Sequence, residues 1–442
     1  MYWLAGACGF ATGLIGSAFH LAVDLLLDWP QWLMERMGFG VLTIAAAAAV
    51  AALAVLLAFL LTRYVAPEAA GSGVPEVEGA LQGLRIVRWQ RVLPVKFLGG
   101  VLALSSGLVA GREGPTIHMG AAIGALLVDR LRLGRRDLHA LLAAGAAAGL
   151  SAAFNAPLAA ILFVIEETRK QFRYTFRSYV SVIVASAASA FAMELVGGTA
   201  PPLKIDTAAL PLLLLPVFMV LGTVLGGLGV LFNRCLVLAL DWRATAFRQA
   251  PFAYAVLVGA AVGGLSIVLP LAVRGGEILI PSMPLANLPI LILVLVAVVR
   301  FVGTMASYPV GVPAGIFSPL LTFATTVGLI AGALVEMGLA AAHLSIPPML
   351  DSAFATVAMG GLFSATIRAP LVGVVLVVEL TGAFDLMLPI IVTCVTAHVI
   401  AEWLGGRPIY EVLLERSLRL SGHAPKPAVT TISSPVGADE PR

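Results

Sequence analysis

The run GREGP, Gly111 to Pro115, sets a cation and an acid side by side between stretches of small apolar residues, SSGLVA before it and TIHMGAAIGALLV after it. In a bilayer each such charge costs roughly a few kcal/mol or more unless it is paired or lines an aqueous path, so Arg112 and Glu113 are functional candidates. Gly111 and Gly114 are expected to let the backbone turn sharply and approach a ligand, and Pro115 suits a first helical turn because it has no N–H to leave unsatisfied. The stretch reads as a break followed by a helix N-terminus. Free amides there carry about half a positive charge and attract anions. Glu113 stands at the mouth of that site, where an anion could also sit; the ordinary alternative is that Arg112 and Glu113 pair and cap the helix.

Other breaks offer similar chemistry. In APEAAGSGVPEVEG, Gly71, Ser72 and Gly73 can present backbone amides and a hydroxyl, with Pro75 just inside a helix start. Glu76 and Glu78 are expected there as first-turn charges. GVPAGIFSP supplies a third N-terminus, at which Gly315 precedes the amides of Ile316 and Phe317. Lys96 opens the apolar run leading into GREGP and can raise the local positive potential. Tyr410 follows a Gly-Gly break and can donate from its phenol, although a membrane-interface tyrosine is the ordinary explanation. FNAPLAAILFVIEE closes on Glu166 and Glu167, which read equally as a proton-uptake point and as ion-pair partners of Arg169 or Lys170.

The elements that must position these residues are membrane helices. Of 442 residues, 60% are hydrophobic and 12% charged, and the mean hydropathy is +1.00, far from a soluble domain with about a quarter of its residues charged. At about 20 residues per crossing the chain holds well over a dozen helical pieces. The first two are expected over Leu4 to Leu27, which can act as an uncleaved signal anchor, and over Val41 to Leu61. The net charge of +3 sits in loops and at helix ends, which gives nucleic-acid binding no support. Three scattered cysteines suggest neither a disulfide nor a metal site. Basic loops at LRIVRWQRVLPVK, DRLRLGRRD and TRKQFRYTFR are expected on the cytoplasmic side. Leu138 to Glu167 must then leave and return as two half-length helices broken at SAAFNAP, tolerable where they line a cavity or are buried in protein.

The second half repeats the first. APLAAILFVIE, Ala156 to Glu166, aligns without gaps with APLVGVVLVVE, Ala369 to Glu379, and GREGP has its counterpart in GIFSP, Gly315 to Pro319. Duplication with interrupted helices at matching places is the signature of a repeat transporter whose site lies between the halves near the midplane. The expected division is a first repeat over 1–205, a second over 206–420, and a disordered polar tail over 421–442.

GSGVPE, GREGP, GVPAGIFSP and the late Tyr410, in that order and spacing, resemble the four signature regions of the ClC chloride channel and transporter family, with similarity from the first helix to about Leu418. The resemblance implies an all-α integral membrane protein of two inverted-topology repeats of tilted and broken helices around a midplane anion site. It implies that Ser72 and Tyr410 coordinate chloride and that Ile316 and Phe317 contribute amides. Glu113 matches the gating glutamate, and Glu167 matches the internal glutamate that passes protons in the antiporter branch. An acid at Glu167 favours chloride–proton exchange over a passive channel, and Ser72 favours chloride over nitrate. Also implied are a homodimer with one pathway per subunit, residence in the cell membrane, and no cofactor beyond the transported chloride. Paired cytoplasmic regulatory domains are missing from the pattern, so a prokaryotic origin is expected.

Stripping chloride of water costs tens of kcal/mol if nothing replaces the shell. A helix terminus returns only about 0.3–2 kcal/mol, so direct hydrogen bonds must do most of the replacing, without a full positive charge that would trap the ion. An intramembrane hydrolase using Ser72 is the rival from another class. It would need a base, and His118 and His398 have no triad context.

Overall fold

The computed structural model describes residues 1–168, 175–197, 203, 205, 207–276 and 288–421. The described chain is a bundle of α-helices: α1 Tyr2–Leu27, α2 Trp29–Met37, α3 Val41–Val65, α4 Val74–Leu81, α5 Trp89–Ser105, α6 Glu113–Arg130, α7 Arg135–Phe154, α8 Pro157–Thr168 and α9 Phe176–Gly197 in the first part. The second part holds α10 Leu215–Ala246, α11 Pro251–Val268, α12 Ile290–Ser307, α13 Phe317–Ala341, α14 Leu350–Ile367, α15 Pro370–Thr381, α16 Met387–Trp403 and α17 Ile409–Leu420. Ten of the helical stretches among the described residues are long and apolar enough to cross a membrane. The tail from 422 onward, and residue 206 at the expected repeat boundary, lie outside the described residues.

Glycine decides how closely the central helices approach. Gly120 of α6 and Gly145 of α7 cross backbone to backbone: a Cβ on either would fall about 2 Å from the other's carbonyl oxygen. Gly124 and Gly149 extend the contact to Leu141 and Thr116. Small residues four apart permit this geometry, which in a membrane replaces hydrophobic driving force with close packing. The resulting core is almost wholly apolar around α7 and α14, whose residues are buried nearly end to end.

The expected break at SAAFNAP is present, with Asn155 in the left-handed conformation (φ 49°) ending α7. The expectation of two half-length helices is corrected for the first of them. α7 begins at Arg135, inside the basic segment read as loop, and its 20 residues are long enough to cross. Only α8, with 12 residues, is short. Arg135 and Arg136 extend the helix because long cationic side chains place their charge at the membrane edge while their stems continue an apolar face.

The duplicated segment forms equivalent structure in both halves. α14 ends on left-handed Arg368 (φ 72°), and the 12-residue α15 follows. α8 and α15 then cap each other: Glu379 near the end of α15 accepts from the amides of Leu158 (3.0 Å) and Ala159 (2.7 Å) at the start of α8. In return Glu166 near the end of α8 accepts from the amide of Val372 (3.2 Å) at the start of α15. Each acid satisfies helix-start amides that have no intrahelical partner.

Candidate anion site

Three chain breaks meet in the middle of the bundle. α4 begins after left-handed Gly73 (φ 85°), α6 begins at Glu113 after Arg112, and α13 begins at Phe317 after Ile316. The breaks are tied by backbone pairs. Gly111 and Gly315 exchange both hydrogen bonds, at 2.9 and 2.7 Å, while Gly71 donates to Val312 (3.0 Å) and accepts from Ala314 (3.2 Å). Three helix N-termini are thereby held against one another, and partial positive charge collects at one buried place.

The glycines act here mainly by closeness. Gly111 is not left-handed; the sharp turn of this break is made earlier, by Gly107 (φ 98°). The expectation that Gly111 turns the chain is therefore corrected: it lies flat against Gly315, where any Cβ would strike the Glu113 carboxylate. At Gly114 a Cβ would fall 2.6 Å from Ser72 Cα, so the first turn of α6 rests directly on the Ser72 backbone. Pro115 continues that turn without an unsatisfied donor. At Gly73 a Cβ would enter the His118 ring.

Hydroxyls and carboxylates line this centre. Ser72 is buried, and its Oγ accepts from the Val74 amide at 3.3 Å. Tyr410 is buried from its position at the start of α17, and its hydroxyl has no partner among the described residues. A buried phenol ordinarily finds one, which makes Tyr410 a candidate donor to an anion. Its ring packs edge-on to Phe317 at 5.7 Å, and Phe317 stacks on Phe363 at 5.4 Å. Glu113 is 1% exposed. Its carboxylate accepts from the Ser318 amide (3.4 Å) and from the Ser318 hydroxyl, so it occupies the N-terminus of α13. Arg112 extends to Asp24 of α1 at 3.4 Å.

Lys96, buried in α5, donates to the Gly71 carbonyl at 2.7 Å. It props the first break from behind. Glu76 meets Arg85 at 3.6 Å and the Ser417 hydroxyl at 3.2 Å, as a helix-start charge should. Glu78 does not fit the same expectation. It is buried, neither of its carboxyl oxygens has a hydrogen-bond partner among the described residues, and its nearest charged neighbour is another acid, Glu167. The helical turn from Val74 points it inward, toward α8, whereas Glu76 faces α17.

The paired acids at the end of α8 thus separate into two roles. Glu166 caps α15, and Glu167 faces Glu78; Arg169 and Lys170, the alternative partners, lie outside the described residues. Glu167 also lines a cavity of about 340 Å³ with Arg368, His398 and Glu402. Tyr410 lies within electrostatic range of Glu113, Glu78 and Glu167. Two further cavities share no lining residue: one of about 1140 Å³ reaches Ser72 past Arg85 and Arg416, and one of about 120 Å³ reaches Glu113 and Ser318. Phe317 and Tyr410, both buried, line neither cavity.

Several contributors were not legible in the sequence. Tyr308 sets its hydroxyl against Gly71 and Ser72. Arg300, buried in α12, donates to the carbonyls of Leu271 (2.9 Å), Val273 (3.0 Å) and Arg274 (3.3 Å), fixing the segment before Gly275. A lone Arg in the run ILILVLVAVVRFVG was a usable signal, since such a charge must find partners.

Fold and site define a multi-pass membrane protein whose interrupted helices direct their N-termini at a shared buried position. A sequence profile described as "Voltage gated chloride channel" matches residues 54–402. The chain belongs to that family, the ClC family of the resemblance. It is 41% identical over 422 residues to the H(+)/Cl(-) exchange transporter ClcA of Vibrio parahaemolyticus, covering 94% of this chain and 89% of the relative. The protein of the same name from Citrobacter koseri is 41% identical over 426 residues, covering 94% and 88%. Among solved structures, that of a slow cyanobacterial Cl-/H+ antiporter is similar with a TM-score of 0.89 and 34% identity, covering 95% of this chain and 98% of that one. A eukaryotic CLC transporter, at 23% identity and TM-score 0.78 over 94% of this chain and 74% of its own, shares the fold.

Proposed function

We propose that this protein is a secondary active transporter that exchanges chloride for protons across the bacterial inner membrane, and that it is not an enzyme. One observation carries this reading: an ionisable carboxylate, Glu113, occupies the amide end of a helix, the place an anion would take. Chloride is held by the hydroxyls of Ser72 and Tyr410 and by the amides of Ile316 and Phe317, framed by Gly71, Gly73, Pro75, Gly111, Gly114, Pro115 and Gly315. Arg112 keeps positive charge at the outer mouth. When Glu113 is ionised it competes with the anion; when protonated it no longer does, and it leaves carrying a proton. Glu167, with Glu78 beside it, is the inner station where that proton is exchanged with the second side. The relatives' names and the carboxylate at Glu167 favour exchange over a passive channel. The working unit is a homodimer with one pathway per subunit, and transport requires no cofactor.

Reconstituted liposomes test the reading. Glu113→Gln is expected to leave chloride flux running with no proton movement and no dependence on pH, and Glu167→Gln to abolish proton movement while sparing chloride flux. Proton uptake that still follows a chloride gradient in Glu113→Gln refutes the mechanism. A wild-type reversal potential that tracks chloride alone, indifferent to a pH gradient, would mean a channel.

A further inference from the structure

We infer that the Ser318 hydroxyl is a latch on Glu113: a positioning residue that holds the carboxylate in the anion's place and so sets the pH at which transport begins. The inference rests on the exchange mechanism just proposed, and it concerns a residue to which neither the sequence reading nor the relatives' names give a role.

Ser318 is the second residue of α13, directly after Phe317. A serine at a helix start ordinarily turns back on the amides of its own helix. Ser318 does not: among the described residues its hydroxyl has no partner other than the Glu113 carboxylate. Its amide approaches the second carboxylate oxygen at 3.4 Å, so one residue addresses both oxygens. The serine is itself held in place. Thr322 Oγ lies 2.7 Å from the Ser318 carbonyl and 2.9 Å from that of Gly275, tying the first turn of α13 to the segment that Arg300 fixes. Ser318 is half-buried and lines the small cavity of about 120 Å³ that reaches Glu113.

A hydroxyl has one proton to give. Donated to an ionised carboxylate it forms a charge-assisted bond; a protonated carboxyl offers a weaker acceptor, so the bond favours the ionised, docked form. Once the acid has left, the same proton is free for the anion that replaces it. Among the described residues, charged and titratable groups near Glu113 include Arg112, drawn to Asp24 of α1, His20 of α1 near Arg112, and Tyr410 of α17. None of these occupies the position of the Ser318 hydroxyl.

The test is the pH profile of chloride flux in liposomes. Losing a hydrogen bond that favours the ionised form raises the pH at which the acid protonates, so Ser318→Ala is expected to move the half-maximal pH upward by about one unit or more. At neutral pH the variant should carry chloride several-fold faster than wild type. Ser318→Thr, which keeps a hydroxyl, should restore the wild-type midpoint. In a Glu113→Gln background, Ser318→Ala should create no pH dependence. An unchanged or lowered midpoint in Ser318→Ala overturns the latch, and so does a raised midpoint that threonine fails to restore. If alanine prevents folding, Ser318→Cys, a weak donor of similar size, must show the upward shift. Failure of the exchange mechanism is read separately, as proton coupling that survives in Glu113→Gln alone.

Discussion

At Gly114 one hydrogen atom stands where any other residue would place a carbon, and behind it lies the Ser72 backbone at 2.6 Å from that carbon's position. Overpacking of this kind costs about 1–3 kcal/mol where neighbours yield and more where they are backbone. Gly114→Ala is therefore expected to lower the melting temperature in detergent and to weaken chloride binding by displacing Ser72, measurable by isothermal titration calorimetry. A drop in stability with unchanged chloride affinity would show that Ser72 does not depend on this contact. The glycines, prolines and Glu113 were legible because breaks in apolar sequence announce themselves through residues that cannot continue a helix. Ser318 and Glu78 were not. Serine near a helix start looks like a cap, and Glu78, two residues after Glu76, looks like another dipole-stabilised acid; only the direction of each side chain separates the cases, and sequence does not give it.

At the scale of elements, the crossed capping of α8 and α15 replaces what isolated short helices lack. Twelve-residue helices are marginal on their own, yet each is terminated by an acid from the other. Glu379→Ala removes the partner of two amides at once, and loss of a cap costs about 0.5–2 kcal/mol. The expected result is a lower thermal midpoint, with Glu379→Gln recovering part of it because an amide oxygen still accepts. No loss on alanine substitution would mean that water satisfies those amides. The internal repeat was visible as aligned text in these two segments. That their terminal acids serve one another was not, since reciprocity appears only when the segments are packed antiparallel. The length of α7 was misjudged for a related reason: charged residues at a membrane edge read as loop, while the backbone continues as helix beneath them.

At the scale of the whole molecule, α17 must stay docked for Tyr410 to remain in the centre. Arg416 ties this helix to Asp241 of α10 at 2.9 Å, and Arg407, just before its first turn, pairs with the helix's own Glu415 at 2.5 Å and Glu411 at 3.7 Å. The hydrogen bond from Arg407 holds the Glu415 carboxyl below its ordinary range. A depressed acid contributes stability that is present above its unfolded pKa of about 4.3 and is lost as pH falls through the lower folded value. Largely exposed pairs yield only about 0.2–1 kcal/mol. Wild type should therefore lose slightly more thermal stability than Glu415→Gln between pH 5 and pH 3, by scanning fluorimetry; equal losses would show the pair to be inert. That the chain is a membrane protein of many helices was legible from hydropathy alone, and its inverted-repeat fold from the family resemblance. The route by which the C-terminal helix returns Tyr410 to a site formed some three hundred residues earlier was suggested by the family pattern and by nothing in the local sequence.

The four backbone hydrogen bonds joining Gly71, Gly111 and their counterparts between Val312 and Gly315 have a mechanical corollary. Pulling the repeats apart would strand buried amides and carbonyls, each at about 1–3 kcal/mol, so the centre behaves as a welded joint. A protein so joined cannot pass its cargo by rocking one half against the other. On the exchange reading, traffic is then directed by what swings within a fixed frame, the Glu113 carboxylate and the few ångströms of space it yields.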